Sequence, residues 1–184
     1  MRKCAGLFVA LLAFLAFSPI HVSAQSLYFG GGATIPTSDY GDYADTGLMA
    51  VAGIDFPVGP EGLSVFGEGF FGQNGHSDID GDKTLPFGAM GGLLLNLAPG
   101  ADAGVYVFGQ AGIMVHKYSS DEYDGDSESA FGYGGGAGYG FPLGGIDAWV
   151  EGRYMSASFD SELGGSATTA FIGIMAGISI DIGP

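Results

Sequence analysis

The sequence predicts an all-β chain: an eight-stranded antiparallel up-and-down β-barrel that crosses a membrane, preceded by a cleaved signal peptide. Three observations carry this. The chain is 47% hydrophobic with only 14% charged residues, and glycine fills 36 of its 184 positions. After residue 24, β-prone segments alternate with turn-forming residues, and no candidate for a long amphipathic helix intervenes. Within the segments a continuous aliphatic face opposes a face of glycine, small residues and a few ionisable groups, too poor in charge to be a solvated exterior.

The N-terminus comes first. Arg2 and Lys3 precede an unbroken apolar run over 5–17, and Val22-Ser23-Ala24 supplies the small residues of a cleavage site. This is the pattern of a secretory signal peptide, so we expect cleavage after Ala24, with 1–24 the signal and 25–184 the barrel domain. The single cysteine, Cys4, lies inside that signal and ahead of its apolar core. Neither a disulfide nor a lipid anchor is therefore expected, and stability must come from the fold. All 20 acidic residues follow residue 24, against three basic ones, Lys83, Lys117 and Arg153, a net of −17. Such a surface repels phosphate and excludes nucleic-acid binding. The apolar content equally excludes an acidic disordered chain.

Eight strands are expected, over 26–34, 47–56, 63–74, 84–97, 103–118, 130–141, 146–159 and 167–182. Their connections alternate in kind. Those over 57–62, 98–102 and 142–145 are short and built from Pro and Gly, which is turn chemistry. Those over 35–46, 75–83, 119–129 and 160–166 are longer and polar. An even-numbered meander with long loops at one end and tight turns at the other closes with both termini on the tight-turn side.

Strand side chains alternate between faces. In the last strand Ile172, Ile174, Ile178, Ile180 and Ile182 share one face, and Thr169, Gly173, Met175, Ser179 and Asp181 the other. In the seventh, Ile146, Ala148, Val150 and Tyr154 oppose Asp147, Trp149, Glu151 and Arg153. The fifth strand divides less clearly, because Tyr106 and Phe108 share a face with Gln110 and His116. If the aliphatic face points outward, it must meet lipid, and strands of about 9–11 residues are long enough to cross it. Phe29, Phe56 and Phe141 near one end, and Phe71, Phe87, Phe131 and Tyr154 near the other, stand where interfacial aromatic girdles belong.

The segment over 130–145 is half glycine, and Gly132, Gly134 and Ala137 satisfy the spacing of a dinucleotide-binding turn. That motif needs a helix next, whereas Pro142 and the Gly144-Gly145 turn lead into another strand. The even glycines are instead expected to face the lumen, leaving room beside Trp149 and Arg153, with Phe131, Tyr133, Tyr139 and Phe141 facing out.

The starting SLYFGGGAT, the segment AWVEGRYMSASF and the ending FIGIMAGISIDI resemble the small outer-membrane β-barrel proteins related to the OmpA-like transmembrane barrel domain. The resemblance covers the chain from residue 25 onward. It implies an integral protein of a Gram-negative-type outer membrane, surrounded by outer-membrane lipid and lipopolysaccharide and assembled by the barrel-insertion machinery. It also implies extracellular long loops and periplasmic short turns. Two features depart from the family pattern: the ending Ile182-Gly183-Pro184 replaces a terminal aromatic, and no peptidoglycan-binding sequence follows the last strand.

Three kinds of chemistry are open to these residues. Glu68, Asp147, Glu151 and Arg153 are assigned to the lumen, where a charge must be paired. Arg153 reaches Glu151 on its own face and Glu68 across the barrel. The cluster is expected to plug the lumen; the alternative is a gate in a narrow, porin-like channel for ions or small solutes. Thirteen acidic residues fall in the four long loops. Asp78, Asp80 and Asp82 have the spacing of an EF-hand start, but Lys83 and Ala89 occupy positions that need glycine and glutamate. Solvated acidic loops without a specific ligand are the expectation there, with weak divalent-cation binding as the alternative, and no cofactor is expected. A lipid-directed enzyme would need a nucleophile and base at the rim. His116 with Ser119, Ser120 and Glu122 supplies the residue types, but no motif builds an oxyanion hole, and His76 falls in a loop. The expected role is non-enzymatic: a structural and surface-interaction platform with acidic loops.

Overall fold

The computed structural model describes residues 25–58, 60–76, 81–120, 124–160 and 166–182. The expected signal peptide lies outside them. Eight strands, β1 (Ser26–Thr37), β2 (Gly47–Pro57), β3 (Leu63–Gly75), β4 (Lys83–Asn96), β5 (Gly104–Ser119), β6 (Asp124–Leu143), β7 (Ile146–Asp160) and β8 (Ser166–Asp181), follow one another around a closed antiparallel barrel. Closure is made by β1 against β8, in register from Ser26 opposite Asp181 to Thr37 opposite Ala170. The shortest strand, β2, has 11 residues. At about 3.4 Å per residue and a tilt of about 45° it rises about 26 Å, the height of the apolar band of such barrels.

The outward face is the apolar one. Leu48, Ile113, Phe131 and Ile174 are each at least 60% exposed, and Ile172, Ile178 and Ile180 continue the surface on β8. An apolar exterior of this extent is stable only against lipid. No helix among the described residues is long and apolar enough to cross a membrane; the crossing is made by strands.

Beyond shifts of one to three residues at other strand ends, two connections differ from expectation. β6 begins at Asp124 rather than at residue 130, because Ser127, Glu128 and Ser129 continue the ladder opposite Lys117, His116 and Val115. Their polar side chains mask a strand that extends past the apolar band, where the backbone still gains from pairing. The connection expected over 35–46 contains a 3-10 helix, Ser38–Asp42, whose Tyr40 is fully buried.

The lumen also differs from the mostly small-residue face anticipated. All five methionines after the N-terminal segment, Met49, Met90, Met114, Met155 and Met175, point into it and are at most 4% exposed. Phe66, Phe70, Phe159 and Phe171 join them. An eight-stranded interior has room for side chains and little else, so large residues need small ones opposite. That complementarity is written in the register. Tyr28 lies opposite Gly53, Phe66 opposite Gly92, Phe108 opposite Gly136, Tyr106 opposite Gly138, and Trp149 opposite Gly177. A Cβ at Gly138 would stand 2.3 Å from the Tyr106 ring, and one at Gly177 2.3 Å from the Trp149 ring. The β6 glycines therefore accommodate β5 aromatics as well as lying beside Arg153 and Trp149 as expected: Gly136 is opposite both Phe108 and Arg153, and Gly140 is opposite Trp149. Room for Trp149 comes from Gly30 and Gly177.

Candidate functional site: a lumen in two halves

The half of the lumen nearer the short turns is polar and partly hollow. Its centre is Arg153, 4% exposed, on β7. Strand parity sends Arg153 and Glu151 inward together, and the barrel's curvature brings Glu68 of β3 to meet them. Arg153 Nη1 donates to Glu68 Oε1 at 2.5 Å and Nη2 to Glu68 Oε2 at 3.3 Å. Nε donates to Glu151 Oε1 at 2.7 Å, and Nη2 lies 2.5 Å from the same oxygen. The Tyr28 hydroxyl donates to Glu68 Oε2 at 3.1 Å and the Tyr106 hydroxyl to Glu151 Oε2 at 2.8 Å. All four carboxylate oxygens thus receive a donor, the condition for burying such charges without heavy cost. The guanidinium also lies 5.4 Å from the centre of the Phe108 ring, within cation–π range.

Asp147 shares the inward parity but stands apart, since the Arg153 hydrogen bonds described go to Glu68 and Glu151. It is the second residue of β7, exposed at the barrel mouth, where water solvates it and no partner is required. Between the cluster and that mouth is a cavity of about 200 Å³. Asp55 and Asp147 line it nearer the turns, and Phe66, Phe108 and Trp149 form part of its wall.

The half nearer the long loops is filled. Met114, Met155 and Phe171 are fully buried, and Tyr40 of the 3-10 helix closes the top. Burial pushes the Tyr40 phenol above its ordinary pKa, so it remains neutral inside this plug. Around it stand His116, with Phe159 at 5.3 Å and Tyr40 at 6.3 Å, and His76, with Tyr43 at 5.5 Å. His116 Nδ1 is 3.0 Å from the Thr169 hydroxyl and His76 Nε2 is 2.8 Å from that of Thr84. Asn74 Nδ2 donates to Thr34 at 3.0 Å and to the Asp45 carbonyl at 2.8 Å.

These contacts give both histidines positions in packing. His116 is engaged by threonine and aromatic rings, and Glu122, the acid considered with it, lies outside the described residues. Asp78 and Asp80 also lie outside them. Asp82 is 8% exposed and accepts a hydrogen bond from the Tyr118 hydroxyl. Among the described residues no three His, Cys, Asp or Glu side chains converge as metal ligands. Reading the sequence alone missed the Tyr40 plug and the two tyrosines that complete the charge cluster. The signal for the latter was present: Tyr28 and Tyr106 face glycines on the inward parity.

The family model described as "Outer membrane protein beta-barrel domain" matches residues 7–179. Among solved structures, Neisserial surface protein A superposes with a TM-score of 0.66 at 9% identity, covering 85% of this chain and 96% of that one. Ail, the attachment invasion locus protein of Yersinia pestis, gives 0.54 at 13% identity, covering 86% and 99%. A major outer membrane protein of Thermus thermophilus gives 0.52 at 11% identity, covering 87% and 100%. At such identities the likeness is one of fold. Comparison with curated protein sequences finds no significant match.

Proposed function

The chain belongs to the outer membrane protein β-barrel domain family, and from that premise we propose that this integral outer-membrane protein is a closed, non-enzymatic platform. Its long acidic loops face the cell exterior and its short turns the periplasm. The observation that carries this reading is the filled upper lumen, where Tyr40, Met114, Met155 and Phe171 have no exposed surface. A solute path would require displacing the 3-10 helix and this layer as well as parting Arg153 from two carboxylates. The charge cluster is the one feature that favours a gated channel, and its fully satisfied hydrogen bonds speak for a structural role instead.

The loops are then what the surroundings meet. A surface role fits a fold whose specificity resides in loops. Ail has been crystallised with the heparin analogue sucrose octasulfate, a polyanion. The net charge here, −15 over the full sequence, argues for partners of the opposite sign: cationic surfaces, or divalent cations held weakly by loop carboxylates.

In planar bilayers the purified protein is expected to give no stepwise conductance, and Arg153→Ala to leave that silence unchanged. Conductance steps in either protein would overturn the closed-lumen reading. Orientation is tested separately: external protease on intact cells should cut within the long loops and spare the short turns.

A further inference from the structure

We infer that the cavity at the short-turn end is a binding site for a small organic cation of the quaternary-ammonium class. The inference holds whichever way the barrel faces and does not depend on the surface role.

Charge is the first reason. Asp55, Glu68, Asp147 and Glu151 line the cavity, and Arg153 is the only basic residue among its lining groups. Arg153 is already shared by Glu68 and Glu151, so among the described residues the lining carries more carboxylates than basic groups. The walls are the second. Tyr28, Phe66, Tyr106, Phe108 and Trp149 surround the space, and ring faces attract cations that shed their water easily. The Phe108 ring already lies within 5.4 Å of one such cation, the guanidinium of Arg153. A metal ion is a poorer fit, because the carboxylates do not converge as a ligand set and hard cations demand several oxygens at close range. Apolar walls with scattered acidity suit a bulky, weakly hydrated cation.

Gly140 keeps the space open: it lines the cavity, and a Cβ built there meets no atom within 4 Å. Trp149 is the chain's sole tryptophan, so its fluorescence reads this cavity alone. The test is a titration of folded protein in detergent with choline chloride. Matched sodium chloride and 3,3-dimethylbutan-1-ol, the uncharged isostere, serve as controls. Choline should change the fluorescence saturably, with little response to either control. Gly140→Leu, folded by its heat-dependent gel mobility, should lose the response. Asp147→Asn should weaken choline roughly threefold, as loss of one partly screened charge would. A flat choline titration of the folded wild-type protein overturns the inference. So does an equal response to salt or to the uncharged isostere, or a choline response undiminished in folded Gly140→Leu. The wild-type comparison decides the matter even if the leucine variant does not fold.

Discussion

The two halves of this lumen solve the same problem by opposite means. Both must fill a space about two side chains wide inside a wall that faces lipid. Toward the long loops the chain uses methionine and phenylalanine, flexible and apolar, with Tyr40 as a lid. Toward the short turns it uses a guanidinium, two carboxylates and two phenols, and leaves a cavity of about 200 Å³ beyond them. The first half gains from contact and burial, and tolerates imprecision. The second depends on its buried charges finding their partners, so it is the brittle half. Methionine suits the first because its unbranched, polarizable side chain adapts to irregular gaps.

The sharpest break in that comparison falls on the wall between the halves. At Gly136 a Cβ would stand 2.3 Å from the Gly152 carbonyl oxygen and 2.8 Å from the Phe108 ring. Gly136→Leu should therefore fail to reach the folded, heat-modifiable state, whereas Gly140→Leu on the same strand and face should reach it. Equal folding of the two variants would show that the register assigned to β6 is wrong. Next in size is Arg153→Ala, which strands two buried carboxylates and should cost about 3–5 kcal/mol. Urea unfolding in lipid vesicles, followed by Trp149 fluorescence, measures it. Replacing all three groups at once, Arg153→Met with Glu68→Gln and Glu151→Gln, should restore most of that loss. Failure to restore it would mean that the ion pairs themselves stabilise the barrel. In the adaptable half, Met155→Ala should cost less, about 3 kcal/mol by the same assay, because its neighbours can relax into the gap.

Much of this was legible beforehand, and the reason is strand parity. Alternation alone places Arg153, Glu151 and Glu68 in the lumen and the isoleucines of β8 outside. The prediction of eight strands, closed and antiparallel, rests on the same periodicity. What parity does not contain is height. It cannot say how far β5 is staggered along β6, so it placed Arg153 and Trp149 beside the β6 glycines without showing that the Tyr106 and Phe108 rings lie over Gly138 and Gly136. Nor does it recognise a loop residue that turns inward: Tyr40 belongs to no strand, and its neighbours Ser38, Asp39, Gly41 and Asp42 read as solvated polar sequence. Polar composition likewise hid the start of β6, because pairing continues above the apolar band.

Asp147 shows the same gap between parity and height, and yields the smallest effect. It shares the inward face with Glu151 and Arg153, so sequence alone groups it with them. In the barrel it is exposed at the mouth, and the guanidinium's described hydrogen bonds go elsewhere. A solvated carboxylate contributes little to stability, because water already stabilises the charge and salt screens its distant partners. Asp147→Asn should thus change unfolding free energy by less than about 0.5 kcal/mol, against the several expected for Arg153. A large loss would place Asp147 inside the buried cluster, and the boundary between a solvated mouth and a sealed charge layer would have to move toward the short turns.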